Sequence, residues 1–214
     1  MKKPYQHVIW DFNGTILDDL VTGIESADEL LLRYQLPPIA TVERYYEVFG
    51  FPIRDYYRRI GFDFSKTDYS ILAHEWVDIY LRRVKEAPIR RGVLEVVEEL
   101  TRRGVRQTVL SMTESAMLGR QLGFLGLEGA FDEVWGLNDI YATSKLELAS
   151  EWRRRHPHET SLFVGDTSHD AESAKVIGCD CVLLTGGHES RDALLATGMN
   201  VIDTPEQILT SYFK

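Results

Sequence analysis

Short apolar segments alternate with amphipathic helical stripes along most of the chain. Six segments are rich in apolar and β-branched residues and predict strands: Tyr5–Trp10, Val105–Leu110, Phe131–Trp135, Ser161–Val164, Cys179–Leu184 and Asn200–Ile202. The run Leu162–Val164 is continuously apolar, which is typical of a strand that is covered on both faces. Strands that alternate with helices in this way predict an α/β fold with a parallel sheet between two layers of helices.

Residues 18 to 86 break this alternation. A helical stripe runs from Leu20 to Tyr34 and ends before Pro37-Pro38, and a longer helix near Thr67–Val84 stops before Pro88. We therefore predict a doubly wound, Rossmann-like core formed by residues 1–17 and 87–214, with an all-helical cap inserted as residues 18–86. Such an insert can close over the carboxyl ends of the strands, where α/β proteins bind ligands.

Two further helices carry clear end signals. The segment Gly92–Arg103 is followed by Gly104, the residue type that favours a helix C-terminus, and its apolar stripe consists of Val93, Val96, Val97 and Leu100. The last helix is predicted to begin at Thr204, with Pro205 at the first helical position and Gln207 three residues after the cap.

Composition narrows the possible partners. The chain has 214 residues, of which 44% are hydrophobic and 27% charged, so one core domain with a smaller insert is expected. A net charge of −9 argues against nucleic acid and anionic membranes as partners. The sequence has no apolar run of about 18 residues and no apolar segment behind its first lysines, so we expect a cytoplasmic protein.

Polar residues follow three predicted strands. Asp11 comes after the first strand, Ser111 after the second, and Asp166 after the fourth, and these strand ends should meet at one edge of the sheet. Phosphoryl transfer requires an in-line nucleophile and neutralisation of the phosphoryl oxygens. Asp11 can be that nucleophile, Asp11 and Asp166 can hold Mg²⁺, and Ser111 and Lys145 can contact phosphoryl oxygens.

The same residues carry a resemblance to a known family. Asp11-Phe12-Asn13-Gly14-Thr15 resembles the Asp-x-Asp-Gly-Thr motif of the haloacid dehalogenase-like (HAD) phosphatases, except that position 13 is Asn. Arg91-Gly92-Val93, Gly178-Cys179-Asp180 and Thr185-Gly186-Gly187-His188 are similar to other segments of that family. The similarity extends over nearly the whole chain and is strongest to the phosphoglycolate-phosphatase-like branch, which has a helical cap.

The resemblance implies a magnesium-dependent phosphatase that acts on a small phosphorylated metabolite through an aspartyl-phosphate. It implies that Asp11 is the nucleophile, that Ser111 donates to the phosphate and that Lys145 neutralises its charge. The implied magnesium ligands are Asp11, the backbone carbonyl of Asn13, Asp166 and Asp170, the last directly or through water. The implied substrate-binding residues are Gly14, Thr15, Met112 and Thr113.

Several residues have a structural alternative. Asp170 also completes a capping-box pattern with Thr167. Arg54 follows a Gly/Pro-bearing loop and can pair with a substrate carboxylate or second phosphate, or it can be an ordinary exposed arginine of the cap. His169 is expected to face solvent, and His188 reaches the phosphate site only if its loop folds inward.

Asn13 changes the expected mechanism. In the family's phosphatases the second Asp protonates the leaving oxygen and then deprotonates the attacking water, whereas Asn has no titratable proton. Loss of such general acid–base help costs about 10² to 10⁴ in rate, most of all for alkyl phosphates with poor leaving groups. Three explanations are open: a slow or leaving-group-selective phosphatase, a non-catalytic phosphometabolite-binding or interaction protein, or a residue at position 13 that is not the natural one.

Overall fold

The computed structural model describes residues 5–141 and 144–214 of the chain. A six-stranded sheet forms its centre, in the order β3-β2-β1-β4-β5-β6, and every neighbouring pair is parallel. The strands are β1 (His7–Trp10), β2 (Arg106–Glu114), β3 (Glu133–Leu137), β4 (Ser161–Gly165), β5 (Asp180–Leu184) and β6 (Asn200–Ile202). This confirms the predicted fold class. Because β2 and β4 flank β1, the carboxyl-terminal parts of these three strands are adjacent, and Ser111 lies within β2 instead of after it.

Ten α-helices surround and extend the sheet in the part of the chain that the structure describes. They are α1 (Leu20–Arg33), α2 (Val42–Val48), α3 (Ile53–Arg59), α4 (Tyr69–Arg83), α5 (Val93–Arg102), α6 (Ser115–Phe124), α7 (Leu146–Arg155), α8 (Ser168–Ile177), α9 (Arg191–Ala196) and α10 (Gln207–Tyr212). Within the described ranges, no helix combines the length and apolar character that a membrane crossing requires.

Both faces of the sheet are buried. Trp10 and Val164 belong to an apolar cluster on one face, whereas their strand neighbours Ile9 and Phe163 belong to a cluster on the other. Successive side chains of a strand point to opposite faces, so helices on both sides are needed to cover strands that are apolar at every position.

The helices α1 to α4 lie between β1 and α5 and have an apolar cluster of their own, which includes Leu20, Ile24, Leu72 and Ile79. The chain leaves and re-enters the sheet layer at one point, where Asp18 N donates to Pro88 O over 2.9 Å. The structure therefore contains the helical insert that the sequence indicates. The limits 18 and 86 stay a prediction, since side chains such as Trp76 pack against both clusters.

Several element boundaries differ by a few residues from those predicted, and two differences have a clear structural cause. Strand β2 continues to Glu114, because its pairing with β3 resumes at Glu114 and Leu137 after a register shift. The last helix begins at Gln207 and not at Pro205, the predicted first helical position. The residues directly before this helix form a tighter turn, in which Ile208 N donates to Pro205 O. The Gln207 side chain still accepts from Thr204 N, as the capping pattern requires.

Candidate active site

Asp11 lies at the carboxyl end of the central strand. Its backbone N–H donates to Val164 O over 2.8 Å, which continues the β1–β4 pairing and fixes the backbone from which the carboxylate projects. Lys145, directly before α7, places Nζ 2.5 Å from Asp11 Oδ1 and also contacts Asp170 Oδ1. One buried ammonium thus connects two carboxylates of the site.

Three buried carboxylates meet beside this lysine. Asp11, Asp166 and Asp170 each offer an oxygen within 4.8 Å of the others. Burial raises the pKa of Asp11, although Lys145 opposes this, and burial also raises the pKa of Asp166 against the charge of His188. A site rich in hard oxygen donors and short of positive charge fits a divalent cation such as Mg²⁺. The cluster could therefore hold a metal ion.

Close packing positions the Asp166 carboxylate. Thr15 Oγ1 donates to Asp166 Oδ1 over 2.9 Å, and His188 N donates to Oδ2 over 2.6 Å. A Cβ atom on Gly14 or on Gly187 would lie 2.2 Å from Asp166 Oδ2. Gly14 also has a φ of +72°, so both the space and the backbone conformation require glycine there.

Asp170 takes part in two arrangements at once. It completes a capping box at the start of α8, where its Oδ2 accepts from Thr167 N at 2.9 Å and from Thr167 Oγ1 at 2.7 Å. Asp166 N also donates to the same oxygen over 3.0 Å. The capping alternative and the carboxylate cluster are therefore both present, and the second oxygen of Asp170 faces Lys145.

Asn13 is held by an amide-specific set of hydrogen bonds. Thr113 Oγ1 donates to Asn13 Oδ1 over 2.8 Å, and Asn13 Nδ2 donates to both Asp19 Oδ2 and the Tyr80 hydroxyl, each over 2.8 Å. The Tyr80 hydroxyl in turn donates to Asp19 Oδ2 over 2.6 Å. Because the donors and acceptors alternate around this network, an amide at position 13 satisfies every contact.

Asp19 and His188 form a buried pair behind Asn13. His188 Nε2 lies 3.2 Å from Asp19 Oδ1, and Gly14 N donates to the same oxygen over 2.8 Å. Burial acts to lower the pKa of His188, but the charge and hydrogen bond of Asp19 raise it to about 9. Burial likewise opposes the lowered pKa of Asp19, which the charge of His188 and its hydrogen bonds maintain. A charged imidazolium–carboxylate pair follows.

The sequence analysis missed Asp19 and left His188 open. The loop of His188 is folded inward, and His188 Nδ1 lies 2.8 Å from the Tyr45 hydroxyl of the insert. Asp19 precedes α1, where an Asp usually caps a helix, but its side chain makes no cap bond and faces the site. The tandem Asp18-Asp19 after the motif was the available signal, and only the fold distinguishes the exposed Asp18 from the buried Asp19.

A cavity of about 180 Å³ opens between the carboxyl end of the sheet and the helical insert. The predicted site residues that line it are Asp11, Asn13, Ser111, Met112, Thr113 and Lys145. Ser111 Oγ accepts from Thr113 N over 3.0 Å, so its own proton can be donated to a phosphoryl oxygen. Asp11, which the resemblance implies as the nucleophile, thus faces one space together with Lys145 and the Ser111 hydroxyl.

Other predicted residues lie elsewhere. Arg54 is exposed on α3, and its guanidinium lies 5.2 Å from the ring centre of Phe64, outside the cavity lining. Gly14 and Thr15 are likewise absent from the lining and pack against Asp166. The expectation that His169 faces solvent is wrong. His169 is on the first turn of α8, where its ring packs 4.7 Å from Phe51 of the insert, and burial lowers its pKa to about 4.

This fold and site agree with comparisons against known proteins. The family description "Haloacid dehalogenase-like hydrolase" matches residues 8–184. The phosphoglycolate phosphatase of Synechococcus elongatus is 24% identical over 210 residues, with 95% of each chain covered. The tyrosine-protein kinase PtkA of Mycobacterium tuberculosis is 27% identical over 200 residues, which cover 92% of this chain and 68% of that protein. The structure of the HAD-like hydrolase SP0104 from Streptococcus pneumoniae superposes with a TM-score of 0.82 at 18% identity, over 98% of this chain and 99% of that one.

The chain belongs to the haloacid dehalogenase-like hydrolase family. Within that family it is a HAD-like phosphatase with phosphoglycolate phosphatases among its relatives. The resemblance stated from the motifs is thereby confirmed.

Proposed function

We propose that the protein is a magnesium-dependent phosphatase that acts on a small phosphorylated metabolite through an aspartyl-phosphate on Asp11. The observation that carries the proposal is the arrangement around Asp11. Its Oδ1 is paired with Lys145 Nζ at 2.5 Å, and both residues line one cavity with Ser111. Relatives named phosphoglycolate phosphatase support the reaction class.

In the first step, a carboxylate oxygen of Asp11 forms a bond to phosphorus while the bond from phosphorus to the leaving oxygen breaks. The leaving oxygen keeps the bonding electron pair. Lys145 and the Ser111 hydroxyl contact the phosphoryl oxygens and stabilise the charge that develops on them. A magnesium ion held by Asp11, Asp166 and the Asn13 carbonyl, with Asp170 behind them, would supply further charge neutralisation.

In the second step, water attacks phosphorus, and the electron pair of the broken bond returns to the Asp11 carboxylate. The products are inorganic phosphate and, once a proton has reached the leaving oxygen, an alcohol or acid. Asn13 can orient the water by hydrogen bonding but can accept no proton from it. We therefore propose slow turnover that favours substrates whose leaving group departs without a proton, with about 10² to 10⁴ lost for the others.

The test is magnesium-dependent phosphate release from acetyl phosphate, p-nitrophenyl phosphate and a panel of phosphorylated metabolites. Wild type and Asp11→Asn are compared, and the phosphorylated aspartate is trapped by acid quench and mass spectrometry. The proposal is supported if wild type releases phosphate, Asp11→Asn does not, and the trapped phosphoryl group is found on Asp11. If wild type binds phosphate analogues and magnesium but releases phosphate no faster than Asp11→Asn, the protein is a binding protein on this scaffold.

A further inference from the structure

The part of the cavity wall that comes from the insert is aromatic and apolar. The side chains that it contributes beyond the catalytic edge are Tyr45, Phe49, Phe51, Ile53, Tyr56, Tyr57, Trp76, Val77 and Tyr80. On the sheet side, Met112 and Met117 continue the same apolar surface. A leaving group that enters beneath the insert therefore meets rings and methyl groups on most sides.

Among the described residues of this lining, the only cations are Lys145 and His188. Lys145 is already paired with Asp11 and Asp170, and His188 is already paired with Asp19. The lining has no arginine in the part of the chain that the structure covers. A second anionic group on the substrate, such as a carboxylate, would thus be buried without a partner, which is costly.

The carboxylates of the lining offer no favourable contact to a second anion. Asp19 forms a neutral pair with His188. The Glu114 carboxylate accepts from two backbone N–H groups at the start of α6. Arg54, the residue that could have bound such a group, is stacked against Phe64 and Tyr69 at 5.2 and 5.9 Å on the outside of the insert. The cavity is therefore matched to an uncharged, apolar leaving group.

Size and shape favour one ring. An apolar cavity of about 150 Å³ holds a benzene molecule, and the roughly 180 Å³ of this one, which include the space beside Asp11, leave room for no more than one ring. Its walls contain two ready-made stacks: Trp76 lies on Tyr80 with ring centres 4.8 Å apart, and Phe49 lies on Tyr45 at 4.9 Å. Aromatic faces and edges of this kind pack well against a further ring.

Asn13 points independently to the same class. When the bond from phosphorus to an aryl oxygen breaks, the electron pair goes to a phenolate, which is stable without a proton from the enzyme. An alkoxide formed from an alkyl phosphate needs that proton, and Asn13 has none to give. The aromatic wall of the cavity and the absence of a general acid at position 13 are separate features. Both favour a substrate in which an aryl oxygen is bonded to phosphorus.

We propose that the substrate is a small aryl phosphate, a phosphate monoester of an uncharged monocyclic phenol. The proposal rests on the proposed phosphatase function and names the substrate class of the same site. The phosphoryl group lies at Asp11, Ser111 and Lys145, and the ring lies beneath the insert between Phe49 and Trp76.

Four substrates distinguish the effect of the ring from the effect of the leaving group. Phenyl phosphate has a ring and a good leaving group, benzyl phosphate a ring and a poor one, acetyl phosphate only a good leaving group, and phosphoglycolate neither. We expect KM to be about tenfold or more lower for both ring substrates than for the other two, as burial of a ring should give. We expect kcat/KM of benzyl phosphate to be about 10² or more below that of phenyl phosphate. Equal KM for acetyl and phenyl phosphate, or preference for phosphoglycolate, overturns the proposal.

Binding without turnover keeps this test separate from that of the proposed function. Phenylphosphonate and methylphosphonate cannot be hydrolysed by this route, and their affinities are measured by calorimetry in the presence of magnesium. We expect phenylphosphonate to bind about tenfold or more tightly. If it does so while no substrate turns over, the phosphatase function fails and the ring site stands. If the two bind equally while acetyl phosphate is hydrolysed, the ring site fails and the phosphatase function stands.

A matched pair of variants locates the ring. Phe49→Ala removes one wall of the cavity and should raise KM for phenyl phosphate by a larger factor than KM for acetyl phosphate. Ile71→Ala, an exposed position on α4 with 51% of its surface accessible, should change neither. Equal effects of Phe49→Ala on both substrates contradict the placement of the ring, and circular dichroism verifies that both variants are folded.

Discussion

Asn13 Nδ2 donates a 2.8 Å hydrogen bond to Asp19 Oδ2, at a separation where two carboxylates could not both stay ionised. Asn13→Asp would put a carboxyl group against Asp19, and one of the two would keep a proton. The proton that the wild-type site lacks would thus be supplied. We expect kcat/KM for benzyl phosphate to rise about 10²-fold or more, and that for phenyl phosphate far less.

Two further variants show whether the gain comes from the added acid. Asn13→Ala removes the amide without adding an acid and should give no gain for either substrate. The double variant Asn13→Asp with Asp19→Asn removes the carboxylate that would hold the proton at this pair, so its gain for benzyl phosphate should be smaller than that of the single variant. Equal gains for benzyl and phenyl phosphate would contradict a role as general acid.

Asp19 should matter for stability far more than its neighbour Asp18. Asp19→Asn leaves His188 buried without its counter-ion and turns an amide donor towards Asn13, at an expected cost of about 3 kcal/mol. Asp18→Asn changes an exposed side chain and should cost less than about 0.5 kcal/mol. Urea denaturation of both variants at pH 7 measures the difference, and similar midpoints would show that the Asp19–His188 pair adds nothing.

Magnesium should stabilise the folded protein through the three buried carboxylates. A ligand at about 100 times its Kd adds about 2.7 kcal/mol to the free energy of unfolding, so removal of magnesium with a chelator should lower the Tm of wild type. Asp166→Asn should abolish this response, whereas Asp192→Asn, an exposed carboxylate on α9, should leave it intact. Differential scanning fluorimetry across a magnesium titration checks this, and a full response in Asp166→Asn would place the ion elsewhere.

His7 should make the fold sensitive to mild acid. Its ring is fully buried at the start of β1, with Nδ1 2.7 Å from Glu159 Oε2 and Nε2 2.7 Å from Thr108 Oγ1. Burial, aided by the charge of Arg106, lowers the pKa of His7 from 6.5 to about 3. Between these values the unfolded chain binds the proton and the folded protein does not, so stability falls as pH decreases from 6.5.

The expected loss is at most about 1.4 kcal/mol per pH unit from this residue, and nothing above pH 6.5. His7→Gln keeps a polar side chain but cannot titrate. Its free energy of unfolding should therefore depend less steeply on pH between 6.5 and 4 than that of wild type. Parallel pH profiles for the two proteins would show that His7 is protonated in the folded state.

The predictable part of the site depends on strand order. The apolar periodicity located all six strands, and once these are parallel, Asp11, Ser111 and Asp166 must meet at one edge. The network behind Asn13 depends on contacts between distant segments. Tyr80 and Asp19 are 61 positions apart, and His188 and Asp19 are 169 apart. No local pattern specifies the direction in which such side chains point.

Arg54 shows the same limit from the opposite side. The sequence predicts that Arg54 follows the loop. The orientation of its side chain depends on the start of α3 at Ile53, and the guanidinium lies towards Phe64. Whether an aromatic residue of the insert fills the helical core or borders the cavity depends on how α2, α3 and α4 pack, and this is a tertiary property.

The hydroxyl of Tyr80, on helix α4, belongs to the insert by sequence and to the site by contact. It accepts a hydrogen bond from Asn13 and donates one to Asp19. It thereby completes a hydrogen-bond network whose other members lie next to the sheet. The insert is consequently not an interchangeable module. Replacing the insert with helices that lack a hydroxyl at this place would remove one partner from position 13, so a change of substrate preference would bring a change of chemistry with it.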